Sequence, residues 1–104
     1  MIRSKKITGA ARSEDCLINI AGVCHNNTET TVFCHFPDES HGTSRKSSDI
    51  SGAFGCSDCH DRVDGRVRGS DFDDNKDFYM RRAQTRTIHR LFELEILTIR
   101  DSRR

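Results

Sequence analysis

The sequence predicts a small α+β domain whose core depends on a metal site. Three features support this: a β-branched and aromatic segment at residues 30–36, a helical pattern at 75–99, and five cysteines with five histidines in 104 residues. Hydrophobic residues account for 34% of the chain and charged residues for 32%, and tryptophan is absent. Chains this short with so few apolar residues often need a metal or disulfides to stabilise them.

The first thirteen residues are predicted to be a flexible basic arm, which can include a short helical piece, before a single domain at residues 14–104. Residues 1–12 carry four cations and no acid, namely Arg3, Lys5, Lys6 and Arg12. On a chain with a formal net charge of +1, such an arm can bind phosphates or simply be a solvated tail. No secretory signal and no apolar run of ~18 residues is present, so we expect a cytoplasmic protein without a membrane partner.

Two strands are predicted in the first half of the domain. Residues 30–36 (TTVFCHF) have the composition of a strand. Residues 50–56 (ISGAFGC) form a weaker strand because they include two glycines. The polar residues 37–49 between them are predicted to be a loop.

Two helices are predicted in the second half. Ser57 or Asp58 can cap a helix of about two turns, which Gly65 would end. A polar loop is expected at 66–76. Residues 75–99 then follow an i, i+3, i+4 pattern without Pro or Gly. This long helix offers an apolar stripe for packing or for a homodimer.

The cysteine spacing indicates a structural zinc site. Cys56 and Cys59 form a CxxC turn, which presents two thiolates to one tetrahedral ion. Cys16 and Cys24, separated by seven residues, are the candidates for the second pair. In a reducing compartment cysteines are more often metal ligands than disulfides, and the odd count leaves Cys34 over.

Two histidines stand apart from the cysteine pattern. His35 lies near the end of the first strand and faces away from its neighbours. His60 and Asp64 are one helical turn apart, so they share a face that suits a divalent cation. In that case His35 would be a general base that activates water. Alternatively, these groups cap turns or hydrogen-bond to the cysteine site.

The pattern EDCLINIAGVCHNNTETTVFCHF, SSDI and CSDCHDRVDGR resembles the small phage and prophage nucleases of the YbcO type, in the HNH or ββα-metal superfamily. The resemblance covers roughly residues 3–68 and, more loosely, the C-terminal helix, and the most specific stretch is CSDCHDRVDGR. It implies a zinc-stapled ββα-metal fold with a β-hairpin, a short metal-site helix and a longer C-terminal helix.

The resemblance also implies roles for single residues. His35 corresponds to the histidine that polarises the attacking water, and Asp49 stands where the family has the Asn that orients it. The two cysteine pairs correspond to structural Zn2+ ligands, and His60 and Asp64 to ligands of a catalytic Mg2+ or other divalent metal. The family usually has Asp or His where this chain has Cys34, and a thiolate suits Zn2+ better than Mg2+.

The expected function is hydrolysis of DNA phosphodiester bonds in a phage-infected or lysogenic host cell. Arg62, Arg66 and Arg68 would hold flanking phosphates, and the basic arm would add affinity without sequence information. One alternative is a non-catalytic zinc module that binds DNA or a phage replication or recombination protein. Another is a structural or assembly protein that neither binds nor cuts DNA.

Overall fold

A computed structural model describes residues 1–37 and 47–100; residues 38–46 of the predicted loop lie outside it. Within those ranges the chain is a small α+β domain with one antiparallel hairpin. A 3-10 turn at Thr28–Thr30 precedes the hairpin. In chain order the elements are α1 (Lys5–Gly9), β1 (Val32–His35), β2 (Gly52–Gly55), α2 (Ser57–Val63), α3 (Asp71–Asp74) and α4 (Lys76–Glu93).

The hairpin forms where the two strands were predicted. Cys34 lies opposite Ala53, and His35 lies opposite Gly52. All four residues of β2 are buried, because the strand is covered by other elements and contacts α4 extensively. The glycines that weaken the prediction are required here: a Cβ on Gly55 would lie 2.8 Å from the Cys34 sulfur.

Helix α2 follows β2 directly and begins one residue earlier than the predicted caps. Cys56 is the N-cap residue and Ser57 is already helical. The helix ends at Asp64, and Gly65 takes a φ of +78°, which is the left-handed conformation that glycine adopts readily. The predicted short helix and its glycine stop are therefore confirmed.

The prediction of a continuous loop at 66–76 is wrong, because α3 lies within it. The Ser70 hydroxyl accepts a hydrogen bond from the Phe72 amide at 3.3 Å and caps this short helix. Phe72 is 2% exposed and belongs to the larger core cluster. Burial of a single aromatic ring orders a segment whose other residues are polar.

Helix α4 ends at Glu93 rather than at residue 99. Glu95 takes a φ of +60°, and the amide of Ile96 donates to the Leu91 carbonyl at 2.9 Å. This is a Schellman ending formed without glycine. Ile96 and Leu97 turn back and pack against the smaller core cluster, and this apolar contact offsets the strain at Glu95.

The apolar face of α4 is buried inside the chain itself. Its buried residues are Tyr79, Ala83, Thr87 and Leu91. The stripe proposed for a homodimer is therefore largely used within one chain. Among the described residues, no helix combines the length and the apolar character needed to cross a membrane.

Residues 1–13 pack onto the hairpin side of the domain. Helix α1 contacts β1, and Ile7 and Ala11 are 4% and 1% exposed. Both residues join Phe54 and Leu91 in the smaller core cluster. The basic residues of this segment are thus attached to a helix with a buried face.

Candidate metal centre and candidate active site

Four cysteines from two distant segments meet in the larger core cluster. The sulfurs of Cys16, Cys24, Cys56 and Cys59 all lie within 4.8 Å of one another, and those of Cys24 and Cys56 are 4.0 Å apart. Tetrahedral Zn2+ with Zn–S bonds of about 2.3 Å needs sulfurs about 3.8 Å apart. The arrangement, together with the soft thiolate donors, fits a structural Zn2+, and these are the four residues that the spacing predicts.

One sulfur of the cluster favours the thiolate form, whereas burial raises the pKa of Cys24. A hydrogen bond from the Cys59 thiol lowers the pKa of Cys16 to about 4, and the same bond raises the pKa of Cys59. Around Cys24, the Asn19 side chain and the Asn26 amide place nitrogens 3.5 Å and 3.4 Å from the sulfur. Such donors orient and stabilise thiolate ligands.

Helix α4 holds the long loop between Cys16 and Cys24. The Arg82 guanidinium donates to the carbonyls of Ile18 and Asn19 at 2.9 Å and 3.2 Å. The Tyr79 hydroxyl accepts from the Ala21 amide at 3.1 Å. These contacts fix the loop of seven residues between the two cysteines. They give Arg82 a structural role that the sequence did not indicate.

Cys34 lies outside this four-sulfur cluster. It is completely buried, and its sulfur lies 3.9 Å from the Gly55 carbonyl. Burial, and to a lesser extent the charge of Cys16, raises the pKa of the Cys34 thiol. Cys34 is therefore a neutral core thiol beside the cluster.

His35, at the end of β1, is hydrogen-bonded to Asp49. The Nε2 atom lies 2.7 Å from Oδ1 of Asp49. Burial alone would raise the pKa of Asp49, but the hydrogen bonds from His35 and the Ser4 amide, with the charge of Arg3, outweigh it and lower the pKa. An ionised Asp49 can only accept, so His35 donates from Nε2 and keeps Nδ1 as an acceptor.

His60 and Asp64 meet on one face at the end of α2, as their spacing predicts. His60 Nε2 and Asp64 Oδ2 are 3.2 Å apart, and their side chains are 27% and 32% exposed. One imidazole nitrogen and one carboxylate oxygen at this spacing can hold a divalent cation that keeps water or phosphate ligands.

The arginines in the last turn of α2 and just after it contact nearby protein groups. Arg66 pairs with Asp61 at 3.2 Å and with Asp64 at 3.5 Å. Arg62 donates to the carbonyl of Arg68 at 3.1 Å. They surround the Asp64 end of α2, and Arg66 has 64% of its side chain exposed.

One open cavity of about 600 Å³ brings the two histidine pairs together. Its lining residues are Arg3, Thr8, Phe33, His35, Asp49, His60 and Asp64. The sequence did not place Arg3 and Thr8 beside His35, because the N-terminal segment reaches this cavity only through the packing of α1 on β1. Phe33 lies two residues before His35 and shares its face of the strand. Two histidine-aspartate pairs and a guanidinium thus face one solvent-accessible space.

Comparison with known proteins gives a consistent set of matches. The family model described as "Putative nuclease YbcO" matches residues 5–96. Two curated proteins of that name, from Escherichia coli (strain K12) and Enterobacteria phage 82, are each 41% identical over 59 residues, which is 56% of this chain. The alignment spans 62% of the length of each of these relatives.

A solved structure shares the fold. It is described as "Structure of a putative bacteriophage protein from Escherichia coli str. K-12 substr. MG1655". The two structures superimpose with a TM-score of 0.69 at 31% identity, covering 85% of this chain and 98% of the other.

Proposed function

Because the chain belongs to the YbcO family, we propose that it is an HNH-type endonuclease that hydrolyses DNA phosphodiester bonds with a divalent metal. The observation that supports the proposal is the shared cavity, where a histidine base and a histidine-carboxylate pair face one space. These side chains come from β1, the loop before β2 and the end of α2.

In this proposal His35 accepts a proton from the attacking water. Asp49 holds the ring by its bond to Nε2 at 2.7 Å, so Nδ1 carries the free lone pair. When the proton moves to Nδ1, the ionised carboxylate stabilises the resulting imidazolium. Replacing the family's Asn by Asp adds this charge stabilisation to the orienting role.

His60 and Asp64 would hold the divalent ion. Their donor atoms are 3.2 Å apart and partly exposed, so a phosphate can approach them. When bound, a divalent ion would stabilise charge on the scissile phosphate and on the leaving 3′ oxygen. Arg66 beside Asp64 adds positive charge for the phosphate backbone.

A plasmid-nicking assay with Mg2+ or Mn2+ tests the proposal. The wild type should nick the plasmid, and His35→Ala should lower the rate by about 10²-fold or more, because a positioned base contributes about 10²–10⁴-fold. His89→Ala is the matched control, because His89 is exposed on α4. If His35→Ala cuts as fast as the control, His35 is not the base.

The same protein preparation separates the alternatives. A wild type that retards DNA in a gel but never cuts it, with any divalent metal, supports the non-catalytic zinc module. A protein that neither cuts nor retards DNA supports a structural or assembly role.

A further inference from the structure

We propose that the segment at residues 2–4 is a positioning element that holds the Asp49 carboxylate and, through it, the His35 ring. The inference rests on the proposed nuclease function and gives this basic segment a task other than DNA affinity. It also explains why Arg3 lies at the cavity while the next two cations do not line it.

Two consecutive residues of the segment contact the carboxylate. The Ser4 amide donates to Oδ2 at 2.7 Å, and the Arg3 guanidinium lies 3.5 Å from Oδ1. Arg3 also donates to the carbonyl of Ser47. The carboxylate therefore has partners on both oxygens, since Oδ1 also accepts from His35.

The backbone of Ile2 is also hydrogen-bonded to the residues at positions 48 and 49. The Asp49 amide donates to the Ile2 carbonyl at 2.8 Å, and the Ile2 amide donates to the Ser48 hydroxyl at 3.1 Å. These bonds connect positions more than forty residues apart in the chain. They fix the Asp49 backbone while the Ser4 amide fixes its side chain.

The segment itself is anchored by the core. Ser4 is the N-cap of α1, and its hydroxyl accepts from the Ile7 amide at 3.3 Å. Ile7 is 4% exposed and packs with Phe54. A continuous set of contacts thus runs from the core through α1 and Ser4 to Asp49 and His35. Active-site groups need this kind of support, because small displacements of a reacting group cost large factors in rate.

The test compares Arg3→Gln with Lys5→Gln in the full-length, zinc-loaded protein. Each variant removes one positive charge from the first five residues, but of the two side chains only Arg3 contacts Asp49. We expect Arg3→Gln to lower kcat about tenfold with KM close to that of Lys5→Gln, because Arg3 is one of several supports for Asp49. Arg3→Lys, which keeps the charge, should recover most of the loss.

A second measurement does not need turnover. Nitrogen-15 spectra of the imidazoles, recorded where they are neutral, distinguish the two ring tautomers. The wild type and Lys5→Gln should show His35 as the Nε2–H tautomer, and Arg3→Gln should add a measurable Nδ1–H fraction and faster hydrogen exchange at the Ser4 amide.

The outcomes separate the two ideas. If Arg3→Gln matches Lys5→Gln in kcat, tautomer and exchange, the positioning role is wrong. If the wild type never cuts DNA, the nuclease proposal is wrong, and the spectra still decide whether the segment positions His35.

Discussion

Cys59 and Cys34 offer a direct test of the metal centre because both are completely buried cysteines in the same core cluster. Only Cys59 belongs to the four-sulfur group. Cys59→Ala removes one ligand, whereas Cys34→Ala removes a neutral thiol of the same size. Any difference between the two variants therefore reports metal binding rather than loss of a buried sulfur.

The expected magnitudes differ widely. Structural zinc in small domains contributes about 10–16 kcal/mol of apparent binding free energy at neutral pH, and total stability is typically about 5–15 kcal/mol. The described residues include thirteen buried apolar residues besides the buried cysteine ligands, a small core, so Cys59→Ala should leave the protein unfolded at 25 °C. Cys34→Ala leaves a small cavity and should cost about 1–2 kcal/mol.

Elemental analysis and thermal unfolding by circular dichroism measure both effects. The wild type and Cys34→Ala should carry about one zinc per chain and unfold cooperatively, and Cys59→Ala should do neither. Zinc retained by Cys59→Ala, or lost from Cys34→Ala, would refute the assignment of the ligands. A wild type without zinc whose thiols stay protected after denaturation would indicate disulfides instead.

Two further predictions concern buried polar contacts. Thr87 is 1% exposed, and its hydroxyl accepts a hydrogen bond from the Phe54 amide at 3.1 Å. Thr87→Val should therefore lower the free energy of unfolding by about 1–3 kcal/mol without changing the zinc content. A urea unfolding curve that matches the wild type would contradict this. Asp49 has a lowered pKa in the folded protein, so its ionised form stabilises the fold above its unfolded pKa of about 3.9, and that contribution is lost as pH falls through the lower folded value. The stability gap between the wild type and Asp49→Asn should therefore narrow as pH falls below about 4, and a constant or widening gap would show that the charge of Asp49 is not stabilising.

The elements that the sequence predicts well are those set by local pattern. The strand at 30–36 and the short helix ended by Gly65 occur in the structure, because residue type and turn chemistry act over a few neighbours. Cys56 and Cys59 are equally local, since a CxxC turn places both sulfurs on one side.

Other features depend on contacts that are distant in the chain. Helix α3 forms because the Phe72 side chain is buried in the larger core cluster. Helix α4 ends at Glu93 because Ile96 turns back and packs in the same cluster as Leu91. No glycine or proline marks the end of α4, and α3 is only four residues long. The free energy of burying a side chain outweighs the weak local preference of a polar segment or of a left-handed glutamate.

By itself, the sequence predicted the four cysteines that meet in one cluster and the face shared by His60 and Asp64, because these follow from residue chemistry and spacing. The family resemblance then indicated His35 and Asp49. Only the tertiary structure showed the contacts of Ser4 and Arg3 with Asp49, and the burial that keeps Cys34 a neutral thiol. Hydrogen bonds and burial of this kind join segments more than ten residues apart, and their partners exist only once the core has brought those segments together.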